Sequence, residues 1–302
     1  MTRVAAIDCG TNSIRLLVSD IAEGAATDVV RRMEVVRLGQ DVDRTGVLAP
    51  AAIERTRVAL ADYTAQLRAL GATHVRMVAT SATRDAANRA DFRAMVLDTL
   101  GTEPEVISGA EEAALSFAGA VAGLGHLPAP YLVAEIGGGS TELVLGTRDG
   151  LAAVSTDVGC VRLTERHLPG DPPDPDQVGA AEADIRAAIE AVRALPVAEA
   201  RTFVGVAGSV TTVAAIALGL PVYDPVAIHH SVLPVGRVRA VTARLLTMTR
   251  AQRAALPVMH PGRVDVIGAG ALVLRVLMDA LEIDEVVVSE HDILDGIAAS
   301  LA

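Results

Sequence analysis

The residues best suited to chemistry lie in one stretch, residues 131–145, which reads YLVAEIGGGSTELVL. An apolar run meets the acid Glu135, a glycine-rich turn follows, and the acid Glu142 precedes a second apolar run. This pattern predicts two buried strands joined by a tight turn. Because glycines lack a Cβ, backbone N–H groups can crowd around an anion there, and carboxylates beside a bound phosphate suit Mg²⁺. An ordinary glycine hairpin is the structural alternative. The candidate phosphate ligands of this turn are Gly137, Gly138, Gly139, Ser140 and Thr141.

A similar unit lies near the amino terminus. The acid Asp8 follows an apolar run 127 positions before Glu135, and a polar turn and another apolar run come after it. A repeated unit of this kind predicts two similar domains, each offering a phosphate loop to one cleft. A third glycine turn at 204–209 leads into a helix-like run, whose start could hold a further phosphate or a nucleoside. The candidate ligands of these two turns are Gly10, Thr11, Asn12 and Ser13, and Gly208 and Ser209.

Two further charged residues stand where helices are expected to begin. Arg84 lies in the segment 80–85, TSATRD, which follows a predicted strand, so that hydroxyls and a guanidinium at a helix start could bind phosphate. A helix cap with a solvated arginine fits the spacing equally well. Glu112 follows Glu111 in the first turn of another predicted helix, where acids commonly only complement the helix dipole.

The composition restricts the classes of function. The 302 residues suggest two domains, and 51% hydrophobic with 2% aromatic content predicts cores of alanine, valine and leucine. A net charge of −11 argues against a nucleic-acid partner. All 26 basic residues are arginines, which excludes a Walker P-loop and lysine Schiff-base chemistry. An anionic substrate must therefore be bound by arginines and backbone donors.

Other features bear on location and domain organisation. Cys9 and Cys160 are too few for a disulfide framework or a zinc cluster, and the sequence shows no signal peptide or membrane span. We expect a cytoplasmic homodimer without a membrane partner. The loop-like segment 123–130, GLGHLPAP, predicts domains over 1–126 and 127–302, with the last helix able to pack back on the first domain. Strands are predicted over Val4–Ile21, Val29–Leu38 and Val75–Ala79, and amphipathic helices over Pro50–Leu70 and Val178–Leu195.

The order of the motifs resembles that of one family, the exopolyphosphatase and guanosine pentaphosphate phosphatase (Ppx/GppA) family, over nearly the whole chain. The resemblance implies an α/β fold of two actin-like domains around an interdomain cleft, of the ribonuclease H-like type shared with sugar kinases and heat-shock ATPases. It also implies the short, two-domain kind of member. The segments that carry it are AAIDCGTNSIRLLV, VRMVATSATRDAAN, VISGAEEAALSFAGA, LVAEIGGGSTELV, GCVRLTER, GVAGSVTTVAA, MHPGRVDVIGAGALVL and VVVSEHDILDGIA.

The resemblance also implies roles for particular residues. Glu112, the second glutamate of its motif, would be the general base, and Arg84 a substrate ligand. Mg²⁺ would be held near Glu135 and Glu142, with Asp8 acting through water. The reaction would release orthophosphate from the end of inorganic polyphosphate, with guanosine pentaphosphate as the alternative substrate. A non-catalytic sensor of polyphosphate or nucleotide, and a kinase of the same fold, are the rival hypotheses.

One residue departs from the family pattern. Family members usually have aspartate where this chain has Glu135. The additional methylene moves the carboxylate by roughly 1 to 1.5 Å. Since Mg²⁺ tolerates little misplacement of its ligands, we expect the metal to be shifted, held through water, or bound more weakly.

Overall fold

The computed structural model describes residues 2–22, 25–147 and 150–302. Its contacts divide the chain into two compact units. Unit 1 comprises Met1–Gly119 and Ile293–Ala302, and unit 2 comprises Ala120–Asp292. The chain therefore returns to unit 1 for its last helix. The division into domains at residue 126 stays a prediction about how the chain folds.

Unit 1 contains a five-stranded mixed sheet of order β3-β2-β1-β4-β5. The first three strands form an antiparallel meander, and β4 and β5 continue the sheet parallel to β1. From Val4 to Cys9 every residue of β1 is buried, as its apolar run predicts. The strands are β1 (Thr2–Cys9), β2 (Ser13–Ala22), β3 (Ala25–Val35), β4 (His74–Ala79) and β5 (Glu105–Val106). The helices are α1 (Val42–Thr45), α2 (Pro50–Ala69), α3 (Ser81–Asp85), α4 (Arg89–Leu100), α5 (Gly109–Ala120) and the last helix of the chain, α13 (Ile293–Ala299).

Both faces of the sheet in unit 1 are covered by helices. On one face Leu60 and Tyr63 of α2 and Phe92 of α4 are fully buried in the main core of the unit. On the other face α13 packs Ile293 and Ile297 into a second apolar cluster with residues of β1. This last helix approaches α5 so closely that a Cβ on Gly296 would clash with the Leu115 carbonyl. Glycine is therefore required at this contact.

Unit 2 contains a six-stranded mixed sheet of order β10-β11-β9-β6-β7-β8. An antiparallel meander again comes first, and two strands parallel to β6 follow; β10 adds an antiparallel edge. The topology of unit 1 therefore recurs with one added strand. The strands are β6 (Tyr131–Ile136), β7 (Thr141–Thr147), β8 (Gly150–Thr156), β9 (Thr202–Val206), β10 (Val232–Pro234) and β11 (Glu285–Val288). The helices are α6 (Cys160–His167), α7 (Pro175–Ile189), α8 (Ala207–Ala217), α9 (Pro225–Ile228), α10 (Val235–Thr247), α11 (Arg250–Ala254) and α12 (Ile267–Ala280).

The two predicted amphipathic helices are present with different accuracy. The helix predicted from Pro50 is confirmed and ends at Ala69. The helix predicted from Val178 begins earlier, at Pro175, because Asp174 and Gln177 form a capping box at its start. It ends at Ile189, after which the chain tightens into a 3₁₀ turn. Among the described residues no helix is both long and apolar enough to cross a membrane.

Candidate phosphate and metal site

The repeated motif forms the same hairpin turn in both sheets. In unit 1 the Gly10 N–H donates to the Ser13 carbonyl at 2.9 Å. In unit 2 the Gly137 N–H donates to the Ser140 carbonyl at 3.0 Å. Each residue of the second turn stands 127 positions after its counterpart in the first, so the repeat predicted from the sequence is also a structural repeat.

The carbonyl groups of the unit 2 turn are held by α6. The carbonyls of Gly137 and Gly138 accept from the backbone N–H groups of Cys160 and Val161 at 2.9 and 2.8 Å. The Gly139 carbonyl accepts from Arg162 Nε at 2.8 Å. In a trans peptide the N–H of the next residue points opposite to the carbonyl. The three N–H groups that follow these carbonyls, from residues 138 to 140, therefore point away from α6, an arrangement that suits an anion.

The turn of unit 1 is supported in a corresponding way. The Asn12 carbonyl accepts from the N–H groups of residues 36 and 37 at 3.0 and 2.8 Å, and the Thr11 carbonyl accepts from Gly39 N–H at 2.8 Å. The Thr11 and Ser81 hydroxyl oxygens lie 2.9 Å apart, which links the turn to α3. A Cβ on Gly39 would come within 2.3 Å of the Thr11 side chain, so the supporting segment can approach this closely only with glycine.

The acids of the two hairpins have different partners across the strands. Asp8 stands opposite Arg15, whose Nε and Nη2 donate to Asp8 Oδ2 at 2.9 and 2.6 Å. Glu135 stands opposite a second acid, Glu142, and the two are 6% and 1% exposed. Like charges directly opposite each other destabilise a sheet unless a cation neutralises them. The hairpin of unit 1 contains its own cation, whereas that of unit 2 combines two buried carboxylates.

The donor set of unit 2 fits a hard divalent cation. Carboxylate oxygens are the protein ligands that Mg²⁺ prefers, and Mg²⁺ usually keeps several waters and binds substrate phosphate oxygens as well. Among the described residues no group of three or more His, Cys, Asp or Glu side chains is placed to hold a metal. Two carboxylates would therefore be completed by water and phosphate. Sequence reasoning missed Ser155, whose Oγ donates to Glu142 Oε1 at 2.7 Å.

Arg84 and Glu112 form an ion pair in unit 1. Arg84 Nη1 donates to Glu112 Oε2 at 3.0 Å and to the Ile107 carbonyl at 3.0 Å. Glu112 is only 6% exposed. The neighbouring Glu111 instead pairs with Arg76 at 2.9 Å, and its side chain is 46% exposed. The two adjacent glutamates thus occupy different environments, and Glu112, the one that the family resemblance singled out, is buried.

The residues of the third glycine turn lie at the start of α8. Arg263 lies so close to Gly208 that a Cβ there would be 2.3 Å from its Nη2. Arg263 Nη1 also donates to the Thr212 hydroxyl at 3.1 Å. Ser209 is buried, and its hydroxyl lies against Gly270, where Cys160 also packs. Burial raises the pKa of the Cys160 thiol. This helix start therefore combines a guanidinium with backbone donors.

Within each unit, the candidate residues gather at one edge of the sheet. The carboxyl ends of β1, β4 and β5 carry the first turn, α3 and the segment that leads to Glu112. In unit 2 the carboxyl ends of β6 and β9 carry the second turn and the start of α8. The carboxyl ends of parallel strands are the usual ligand-binding edge of α/β sheets. Two sheets of this topology, each with a glycine hairpin at that edge, define an α/β protein of the actin, sugar kinase and heat-shock ATPase fold group.

Comparisons with known proteins agree with this class. Residues 17–302 match the profile described as the Ppx/GppA phosphatase family. The chain is 54% identical to Exopolyphosphatase 2 of Mycobacterium tuberculosis, with 100% of this chain and 99% of that protein covered. The crystal structure of an exopolyphosphatase-like protein superposes with a TM-score of 0.96 at 43% identity, covering 99% of this chain and 97% of that one. A guanosine-5'-triphosphate,3'-diphosphate pyrophosphatase of Vibrio cholerae matches at 36% identity, over 54% of this chain and 33% of that protein.

The chain belongs to the Ppx/GppA phosphatase family. Membership implies a divalent metal cofactor in general, without specifying which metal. The two buried carboxylates of the unit 2 hairpin agree with that implication.

Proposed function

We propose that the protein is an exopolyphosphatase, a hydrolase that releases orthophosphate from the end of inorganic polyphosphate. The observation that carries the proposal is the pair of buried carboxylates Glu135 and Glu142 in a hairpin whose three glycine carbonyls are all held by α6, which leaves the N–H groups of residues 138–140 facing away from that helix. This arrangement suits a phosphate group bound together with a divalent cation. The similarity to Exopolyphosphatase 2 over the full chain adds the substrate class.

Glu112 acts as the general base in this proposal. It orients and deprotonates a water for in-line attack on the terminal phosphorus. The guanidinium of Arg84, 3.0 Å away, holds the Glu112 carboxylate in place. Because a guanidinium has five N–H donors, Arg84 can keep this contact and also donate to a phosphate oxygen.

The metal is Mg²⁺ in this proposal; Glu135 and Glu142 would hold it, and Asp8 is the third proposed metal residue. When bound, the cation supplies positive charge to the oxygens of the transferred phosphoryl group. The N–H groups of residues 138–140 donate to the same oxygens and add to the stabilisation of the developing charge. The turn at residues 10–13 and the start of α8 at Gly208 and Ser209 bind further phosphate groups of the substrate.

Guanosine pentaphosphate is the second candidate substrate. It also ends in a phosphoanhydride, and the match to the pyrophosphatase of Vibrio cholerae supports it. That match covers a smaller share of this chain at lower identity than the exopolyphosphatase does, so polyphosphate ranks first. We also propose a cytoplasmic location, supported by two buried free cysteines. A homodimer stays a prediction, which light scattering of the purified protein tests.

Orthophosphate release from purified protein tests the function. The substrates are long polyphosphate, short polyphosphate and guanosine pentaphosphate, each with Mg²⁺ and with excess chelator. We expect release without an acceptor, fastest from polyphosphate and lost in chelator. Binding without release would favour the sensor, a requirement for an acceptor would favour the kinase, and equal rates in chelator would exclude the metal.

A further inference from the structure

We propose that Ser155 is a positioning residue, which fixes the Glu142 carboxylate so that it can hold a divalent cation. This inference rests on the metal site proposed above. Ser155 lies on β8 directly opposite Glu142 on β7, and its Oγ donates to Glu142 Oε1 at 2.7 Å. A hydroxyl donor to a carboxylate forms one of the stronger classes of hydrogen bond.

Ser155 completes a row of three side chains across the meander. Glu135 on β6 stands opposite Glu142 on β7, and Glu142 stands opposite Ser155 on β8. Directly opposed residues in a sheet project on the same face. Both carboxylates and the hydroxyl therefore lie on one face, with Glu142 in the middle.

The other hairpin provides an internal comparison. The corresponding row in unit 1 is Asp8, Arg15 and Met33. There the middle residue is the cation that pairs with Asp8, and the third residue has no O–H donor. The hydroxyl thus occurs in the row that has two acids. The hairpin as such does not require a serine at this position.

The physical reason is the freedom of the glutamate side chain. Glutamate loses considerable rotamer entropy when it is held in one geometry, and Mg²⁺ demands near-ideal ligand placement. A hydrogen bond from Ser155 restricts the carboxylate before the cation arrives. Loss of such an outer partner typically reduces metal affinity about 10- to 100-fold. Ser155 itself is exposed on β8, so its replacement should disturb the fold little.

The test measures Mn²⁺ binding by electron paramagnetic resonance with the full chain, in the absence of substrate. The variants are Ser155→Ala, Ser155→Thr and Glu142→Gln, with melting temperatures measured beside the titrations. We expect Ser155→Ala to weaken Mn²⁺ binding about 10- to 100-fold at an unchanged melting temperature. Ser155→Thr keeps the hydroxyl and should bind close to wild type.

The outcomes separate this inference from the metal site on which it rests. If Glu142→Gln weakens binding but Ser155→Ala does not, Ser155 has no positioning role and the proposed metal site stands. If Ser155→Thr loses as much affinity as Ser155→Ala, the hydroxyl is not the cause and the inference fails. If Glu142→Gln binds Mn²⁺ like wild type, both the metal site and the role of Ser155 are wrong.

Discussion

Each candidate acid in this chain is distinguished by the residue that faces it. Asp8 and Glu135 occupy the same place in two copies of one hairpin, but one faces Arg15 and the other faces Glu142. Two like charges that face each other across a sheet repel, and a divalent cation would relieve that repulsion, whereas Asp8 faces an opposite charge. The metal proposal is therefore centred on the second hairpin.

Arg84 is predicted to support both catalysis and the fold. Arg84→Ala removes a charged contact of about 1.5 to 3 kcal/mol, so kcat/KM should fall roughly ten- to a hundredfold. Because Glu112 is buried and loses its cation, the melting temperature should fall as well. Arg84→Lys keeps the positive charge but lacks the planar guanidinium. Its kcat/KM and melting temperature should therefore lie between those of the wild type and those of Arg84→Ala.

The control for this change is Arg76→Ala. Arg76 pairs with Glu105 and Glu111, whose side chains are about half exposed. Its removal should leave kcat/KM near the wild-type value, measured with polyphosphate in excess Mg²⁺. Wild-type kinetics for Arg84→Ala would show that Arg84 does not bind the substrate.

Glu135 is predicted to be a suboptimal metal ligand, since the resemblance to the family implies aspartate at this position. Glu135→Asp should lower the Mg²⁺ concentration needed for half-maximal phosphate release, because the carboxylate returns to the usual distance. Glu142→Asp is the matched change on the opposite strand and should raise it. A higher Mg²⁺ requirement for Glu135→Asp would mean that the surrounding loop has adapted to glutamate.

Among the secondary-structure elements, α6 determines the shape of the phosphate turn in unit 2. A Cβ on Gly159 would lie 2.4 Å from the Gly138 carbonyl oxygen, which is backbone and cannot rotate away. Gly159→Ala should therefore displace the turn, lower kcat, and cost about 1 to 3 kcal/mol of unfolding free energy. Phosphate release and urea denaturation measure the two effects.

Gly179→Ala is the matched glycine control. Gly179 lies in α7, and a Cβ there meets nothing within 4 Å. Alanine in a helix interior is favoured over glycine by about 0.5 to 1 kcal/mol, so this variant should gain stability and keep its activity. If Gly159→Ala behaves like Gly179→Ala, the close contact with α6 does not shape the turn.

The secondary-structure elements could be predicted from the sequence more completely than the side-chain contacts between them. The hairpins were predictable because apolar runs, acids and glycines recur at a fixed spacing along the chain. The early start of α7 was missed because Asp174 lies in a proline-rich segment that resembles a loop. The pairs Arg84–Glu112 and Glu142–Ser155 each join two different elements, so only the packing of helices α3 and α5 and the register of β7 and β8 reveal them. The sequence does indicate that Arg15 faces Asp8, since Arg15 follows Asp8 at the same spacing that separates Glu142 from Glu135.

Considered as a whole, the molecule is acidic and is proposed to bind a polyanion. With a net charge of −11, attraction cannot come from the overall field. It must come from local donors: the backbone N–H groups of the turns, the guanidiniums of Arg84 and Arg263, and a divalent cation. Local binding of phosphate also agrees with the use of arginine in place of lysine throughout the chain, since the planar guanidinium suits phosphate oxygens.

The stability of the whole chain should depend on pH through His230. Burial and the neighbouring His126 and His291 lower the pKa of His230 below its ordinary value. The unfolded state then binds more protons than the folded state, so stability falls as the pH drops below about 6.5. His230→Gln should reduce the loss of melting temperature between about pH 8 and pH 5.5.

Exposed His74 provides the control, and His74→Gln should keep the wild-type pH dependence. The His230 ring also stacks on the His229 ring, with 3.7 Å between the ring centroids. Because His230→Gln removes this contact, a small loss of stability at pH 8 is expected. An unchanged slope in His230→Gln would show that protonation of this ring does not limit stability in acid.

The measurement closest to the central claim compares phosphate release by Glu112→Gln and Glu111→Gln. Glutamine keeps the size of the side chain but removes its basicity, so a general base at Glu112 predicts a loss of kcat of about 10² to 10⁴ with polyphosphate affinity retained. Glu111, which pairs with Arg76 at the surface, should keep its kcat when changed to glutamine. A wild-type kcat for Glu112→Gln, or a loss confined to Glu111→Gln, would contradict the assignment of Glu112 as the base.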